Sequence, residues 1–197
     1  MFTSTDTSSL QMMNLPNSVT NIGMDTFSSC EKLSTIRLGN KIEKIEASAF
    51  SGTEYVKNHL EDGVVYYNNY LIYSEKDVKN IVVKDGTTLI ADGAFSYKDQ
   101  LESISLPDSI AKMPSFKECT HLKEVNIPKG VKRLPRSCFK YCKSLKSITV
   151  PENITYIPRY CFMNCKKLSN VILSKNVAQI YKNAFRGCKS LKTITLP

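Results

Sequence analysis

The sequence predicts an α/β solenoid of stacked repeats, and three observations carry that prediction. Phe139, Phe162 and Phe185 lie 23 residues apart, and so do Cys142, Cys165 and Cys188. Apolar residues return at fixed offsets from each phenylalanine. Every repeat then closes on L-x-x-[IV]-x-[ILV], whose last two apolar positions differ by two and so share one face of a strand. A unit of this length cannot bury its apolar face alone. Its neighbours must cover it, and the core becomes a line that lengthens with each repeat.

Taken in order, the array is already running at Leu10, Met13 and Leu15, which match strand positions. Phe27, Phe50, Phe95, Phe116, Phe139, Phe162 and Phe185 head seven units. Apolar residues stand eight and five before Phe, as in Val131 and Leu134 or Ile154 and Ile157. Cys stands three after it in five units: Cys30, Cys119, Cys142, Cys165 and Cys188. The strand follows, as Leu122/Val125/Ile127, Leu145/Ile148/Val150 and Leu168/Val171/Leu173. Pro107, Pro128, Pro151 and Pro197 come directly after strands, where the missing N–H ends the ladder. From that proline to the phenylalanine there is no room for a long helix. A turn and one helical or 3-10 turn are expected, with Phe pointing inward.

Two units depart from this pattern. Two residues are missing between Met113 and Phe116. An insertion covers about 52–80. Within it Val64-Val65-Tyr66-Tyr67, Asn68-Asn69 and Tyr70-Leu71-Ile72-Tyr73 read as a β-hairpin, because Asn accepts the positive φ of a two-residue turn. Val78, Ile81 and Val83 restore the strand pattern. Residues 1–197 are expected to form a single domain around this insertion. Neither end shows the polar cap of a terminal repeat, so a fragment of a longer array is expected.

The formal charge of +9 is unevenly distributed. From Cys119 to Pro197 there are 16 Lys and Arg against Glu124 and Glu152, a balance of +14; the other residues carry −5. Such asymmetry suits an anionic partner or simply a solvated surface. No apolar run approaches the ~18 residues of a membrane span. Met1-Phe2-Thr3-Ser4-Thr5-Asp6 has neither a basic n-region nor an apolar h-region, so no secretion signal is expected in this chain.

The pattern L-P-x-x-[VI]-x-x-[IL]-x-x-x-[ACT]-F-x-x-C-x-x-L-x-x-[IV]-x-[LIV]-P resembles the leucine-rich repeats of BspA-like surface proteins, also called the Treponema-pallidum type. The inserted Gly52 to Tyr55 and Asp62 to Ile72 are similar to a hairpin unit found in bacterial members. The resemblance covers roughly Leu10 to Pro197. It implies a leucine-rich repeat solenoid with one parallel sheet on a concave side and short turns on a convex side. It further implies a cell-surface or extracellular protein used in adhesion or partner binding, without catalysis.

Few residues suggest chemistry. Cys138-x-x-x-Cys142 and Cys161-x-x-x-Cys165 have the composition of a four-thiolate zinc site. Register argues otherwise. The first Cys of each pair falls where other units place Thr26, Ala49, Ala94 and Ala184, a slot for a small buried side chain. His59 and His121 stand near no nucleophile motif, and no glycine-rich phosphate loop occurs. No enzyme, metal or cofactor is expected.

Binding residues are read from the outward strand positions: Thr35/Arg37, Ser103/Ser105, Glu124/Asn126, Ser147/Thr149, Asn170/Ile172 and Thr193/Thr195. Lysines fall in register beside them, Lys143, Lys166 and Lys189 after the Cys, and Lys123, Lys146 and Lys192 after the strand Leu. These two rows form a basic rim. Arg136, Arg159 and Lys182 stand three before Phe, with Lys140 and Arg186 one after it. The candidate ligand-binding set is Lys123, Lys143, Lys146, Lys166, Lys189, Lys192, Ser147, Thr149, Asn170, Thr193 and Thr195. A protein or glycan ligand, possibly anionic, is expected. Nucleic acid is disfavoured, because stacking aromatics do not alternate with the rim lysines. The hairpin tyrosines are expected to cap the core beneath them, with an exposed contact patch as the alternative. Two rival functions stand beside the surface binding module: an intracellular assembly scaffold, and an anionic-polymer binder acting through the basic half.

Overall fold

The computed structural model describes residues 7–194. Each turn of the chain is a rung with two short strand segments and a sharp corner carrying the phenylalanine. The first set of strands comprises β1 (Met12–Asn14), β3 (Thr35–Arg37), β7 (Asn80–Val82), β9 (Ser103–Ser105), β10 (Glu124–Val125), β11 (Ser147–Thr149) and β13 (Asn170–Ile172). A second set lies on another side: β2 (Asn21–Ile22), β4 (Lys44–Ile45), β8 (Leu89–Ile90), β12 (Tyr156–Ile157) and β14 (Gln179–Ile180). Between them come α1 (Glu54–Asn58), β5 (Val64–Tyr67) and β6 (Tyr70–Ser74), all in the insertion.

Pairing is parallel and follows the repeat. Met12 faces Thr35, Asn80 faces Ser103 and Ser147 faces Asn170 in the first ladder. Asn21 faces Lys44 and Tyr156 faces Gln179 in the second. Inward strand residues such as Ile36, Ile81, Ile104, Ile148 and Val171 are buried, while their neighbours on either side face outward. The expected helical stretch is a series of single i→i+3 turns, for example Cys142 N–H to Phe139 O (3.0 Å) and Leu145 N–H to Cys142 O (3.3 Å). Helix among the described residues is confined to α1 and a 3-10 turn at Thr7–Ser9. The second ladder was not expected from the sequence. Its two-residue strands are too short to show an alternating pattern of their own.

The corner is built with care for its backbone. Two residues before Phe, the chain is left-handed at Asp25, Gly93, Ser137, Tyr160 and Asn183; two after it, at Gly52, Tyr97, Glu118, Tyr141, Asn164 and Gly187. The two reversals let both flanking N–H groups point along the stack. Phe139 N–H donates to Cys161 O (2.8 Å) and Tyr141 N–H to Met163 O (2.8 Å), so each corner is tied to the next rung. Gly187 has a second reason to be glycine. At φ +79° a Cβ there would lie 2.1 Å from Asn164 Oδ1 of the rung before.

Inside the corner the phenyl rings stack. Centroids lie 5.4 Å apart for Phe27–Phe50, then 5.7, 5.7, 5.3 and 5.2 Å from Phe95 through Phe116, Phe139 and Phe162 to Phe185. Phe50, Phe95, Phe116, Phe139 and Phe162 are fully buried. One apolar cluster runs from Met13 to Ala184.

The single expected sheet is instead divided, at two places with separate causes. After β3 the insertion intervenes: β5 and β6 pair antiparallel through Asn68 at φ 51°, and β6 lies parallel to β8 in the second ladder. After β10 the strands diverge and β11 pairs only with β13. Twice a side chain stands in for a missing ladder bond, once at the insertion and once within the β9–β10 pair. Leu15, Val83 and Val150 each donate a backbone N–H to the next rung's carbonyl. At the equivalent Leu38 the N–H goes to the Tyr67 hydroxyl (3.0 Å). At Leu106 both backbone groups go to the Asn126 side chain, N–H to Oδ1 at 2.8 Å and C=O from Nδ2 at 2.7 Å. The hairpin tyrosines are therefore half-buried and engaged, as the core-capping expectation has it. Tyr66 Oη accepts from Lys84 N–H (3.1 Å), and Tyr67 acts as above.

Two predictions follow from this construction. Phe139→Ala opens a void between two stacked rings and lowers unfolding free energy by about 3–5 kcal/mol, measured by urea denaturation. Asn126→Ala leaves Leu106 N–H and C=O without partners and costs about 1–3 kcal/mol in the same assay.

Candidate binding surface

The outward faces of the first-ladder strands are the candidate surface. Ser147, Thr149 and Asn170 are exposed, and Ser147 lies beside Asn170 across the β11–β13 pair, as the sequence predicts. Thr149 lies beside Ile172, an exposed apolar residue. Val82, 81% exposed, is a second apolar point on this side. Thr193 is exposed but belongs to no strand, so it does not extend the ladder. Thr195 lies outside the described residues. Asn126 is withdrawn from ligand contact by its bonds to Leu106. Ser103 is partly engaged too, its hydroxyl donating to Asn80 Oδ1 at 2.7 Å.

The rim lysines divide into two kinds. Lys123 is held by Glu102 at 2.5 Å, and that pair is largely self-neutralised. Lys143, Lys146, Lys166, Lys189 and Lys192 are exposed, and among the described residues none has a carboxylate within 4 Å. A shallow depression opens on this side where β10 and β11 diverge, lined by Ser105, Lys123, Glu124, Asn126, Lys146 and Ser147. It exists because the sheet is divided there, which repeat counting did not anticipate.

The thiols belong to the stack. Cys119 Sγ donates to Phe95 O (2.8 Å), Cys142 to Phe116 O (3.1 Å), Cys165 to Phe139 O (3.0 Å) and Cys188 to Phe162 O (3.0 Å). Each S–H thus reaches back to the phenylalanine carbonyl of the previous rung. Lys98 occupies the same repeat position, and its ammonium donates to Ser74 O of the chain below at 2.9 Å. Burial lowers the Lys98 pKa below its usual value. Burial also pushes the Cys119 thiol up to about 12 and the half-exposed Cys188 up to about 11, with Cys138, Cys142, Cys161 and Cys165 raised as well. A metal needs thiolate, and this environment holds the thiol. Among the described residues no cluster of three or more His, Cys, Asp or Glu is arranged to hold a metal ion.

Sequence reasoning missed the corner surface. Tyr97, Tyr141 and Tyr160 flank one corner, and each has a cation beside it: Arg136 and Lys140 at the Tyr160 and Tyr141 rings, and Lys117 donating to the Tyr97 hydroxyl. The signal was available: all three tyrosines lie two residues from a repeat phenylalanine.

Parallel rungs, a stacked corner column and an outward polar ladder define a leucine-rich repeat solenoid, an architecture that generally serves to bind protein partners. The repeat model described as "BspA type Leucine rich repeat region" matches residues 2–115 and 112–197 in six copies, and the chain belongs to that family. The family is generally a non-catalytic binding scaffold. No curated protein matches the chain. Among solved structures, a leucine-rich cell surface protein from Faecalibacterium prausnitzii is 26% identical with a TM-score of 0.66, over 95% of this chain and 60% of that one. A leucine-rich repeat protein from Eubacterium ventriosum is 20% identical with a TM-score of 0.59, over 96% and 49%. The pneumococcal vaccine antigen PcpA is 16% identical with a TM-score of 0.57, over 95% and 57%. The latter two share the fold. The chain spans about half to three-fifths of the length of these structures. Among the described residues no helix is long and apolar enough to cross a membrane.

The thiol column makes alkaline pH a test of the stack. Below about pH 8.5 the thiols are protonated in folded and unfolded chains alike, and they add no pH dependence. Above it the unfolded chain ionises while Cys119, Cys138, Cys142, Cys161 and Cys165 stay protonated in the fold, because burial raises them. Each buried thiol then lowers stability by about 1.4 kcal/mol per pH unit until the folded value is reached. Urea denaturation at pH 8 and pH 10 should show this loss. A thiol reagent at pH 8 should label the native column at least ~100-fold more slowly than the unfolded chain, with Cys188 reacting first.

Proposed function

We propose that the chain is a non-catalytic binding module of a cell-surface protein, and that it engages a protein or glycan partner through the outward face of its first ladder. One observation carries this reading. Ser147, Thr149 and Asn170 form an exposed patch of short hydrogen-bonding side chains on strands, flanked by Lys143, Lys146 and Lys166, which among the described residues have no carboxylate within 4 Å. Short side chains lose little rotamer freedom on contact, and a preformed backbone holds them in place. Rim lysines at repeat spacing add attraction for acidic groups on the partner and speed encounter. The surface location rests on the family and on the description of the Faecalibacterium prausnitzii relative as a cell surface protein. Adhesion is the role this arrangement suits.

The test is an array of purified extracellular-matrix proteins and glycans, probed with the parent and with a Thr149→Arg/Asn170→Arg variant. Bulk and charge on the ladder face should weaken every genuine partner by tenfold or more, the scale set by disrupting a central contact of an interface. Partners that bind parent and variant equally, in a variant that melts at the parent temperature, would show that the ladder face is not the site.

A further inference from the structure

A second surface lies at the phenylalanine corner. Lys117 Nζ donates to the Tyr97 hydroxyl at the edge of that ring, and Arg136 Cζ stands 5.1 Å from the centre of the Tyr160 ring. Lys140 Nζ lies 5.2 Å from the Tyr141 ring and 5.9 Å from the Tyr160 ring, so it joins two rungs. The six residues occupy four consecutive rungs, whose phenylalanine centroids are 5.3 to 5.7 Å apart. Tyr97, Tyr141 and Tyr160 are the residues at left-handed φ of 60°, 65° and 62°. The reversed backbone that forms the corner is also what turns these rings outward. A tyrosine is an unfavourable choice at such a φ on backbone grounds alone, where glycine or asparagine serves the same turn elsewhere in this chain.

Each ring holds a cation in place. Long basic side chains ordinarily sample many rotamers, and ordering them opposes binding. Seated on a ring, as Arg136 and Lys140 are, or hydrogen-bonded to a ring hydroxyl, as Lys117 is, the cation is partly ordered before a ligand arrives. Among the described residues Arg136 and Lys140 have no carboxylate within 4 Å, and Glu118, 3.8 Å from Lys117, is the one acid in an ion pair with the row. We propose that this tyrosine-backed row of cations is a binding site for a sulfated polysaccharide. A linear polymer with anions at regular intervals matches cations fixed at rung spacing, and sulfate accepts several charge-assisted hydrogen bonds from Lys and Arg. Single-stranded nucleic acid fits less well, because base stacking needs open aromatic faces and those of Tyr141 and Tyr160 carry cations. The site shares no residue with the ladder face and does not depend on that reading.

The experiment measures affinity for a size-defined heparin oligosaccharide at fixed 0.15 M salt by calorimetry. Lys117→Gln/Arg136→Gln/Lys140→Gln is compared with Lys129→Gln/Lys132→Gln/Lys175→Gln, which removes the same charge from exposed lysines off the row. The row variant should lose roughly tenfold or more and the control less than about threefold. Tyr160→Asn keeps every charge and suits the left-handed backbone, yet removes the ring beneath Arg136 and Lys140; it should lose about threefold to fivefold. Equal losses in the two triple variants, unchanged binding by Tyr160→Asn, or no binding by the parent would overturn the proposal. So would tighter binding of oligo-dT or poly-glutamate than of the heparin fragment, which would assign the row to nucleic acid or to acidic protein. Should the row triple melt early, the single Arg136→Gln and Tyr160→Asn variants carry the same comparison.

Discussion

The structure depends on holding one rung above the next at the phenylalanine corner. There the backbone reverses hand on both sides of the ring, which points two N–H groups at the carbonyls of the following rung. The cysteine three residues later reaches the opposite way and donates its S–H to the preceding phenylalanine carbonyl. Stacked rings fill the space between. Backbone, thiol and aromatic contacts all repeat once per rung, so a slip of one residue would break all three together. That is why the corner keeps its register across the β10–β11 break.

Freedom elsewhere follows from rigidity at the corner. β11 stands apart from β10, yet Phe116 and Phe139 stay stacked across that break, whereas at the insertion the rings fall into two runs, Phe27–Phe50 and Phe95 through Phe185. Each divided edge would expose unpaired amide groups within a half-buried sheet, which is costly. At the insertion Tyr67 meets that need with its hydroxyl, and within the β9–β10 pair Asn126 presents a carboxamide where backbone should stand. Asn126 also lines the depression between Ser105 and Ser147. A repeat array thereby acquires local features without losing its core.

Charge is arranged on the same scaffold but does not contribute to holding it together. The ion pairs are exposed and lie at the margins, such as Lys84 with Glu61 and Lys123 with Glu102. Pairs of this kind contribute little to stability. The rim lysines and the corner cations lie on surfaces the stack has already made, one beside short polar side chains and the other on tyrosine rings. Two surfaces of different chemistry on one rigid rod suit a family whose members serve as binding scaffolds.

What the sequence determined by itself was the periodic frame of corner phenylalanines and first-ladder strands, while the second ladder, with its two-residue strands, was left to the tertiary structure. A spacing of 23 residues, with Phe139, Phe162 and Phe185 in line, dictates stacking because no rung can bury its own apolar face. The same register identifies the cysteines as packing residues and places Ser147, Thr149 and Asn170 outward. Asn68-Asn69 between two apolar runs announces the hairpin. Only the tertiary structure decided the aperiodic features: that the sheet divides, that Lys123 is neutralised by Glu102, that Asn126 turns to Leu106, and that Tyr97 and Tyr160 carry cations. Each of these arises between residues about 20 or more positions apart, on different rungs. Their contact depends on rung spacing and backbone hand at the corner, and neither quantity is written in residue type alone.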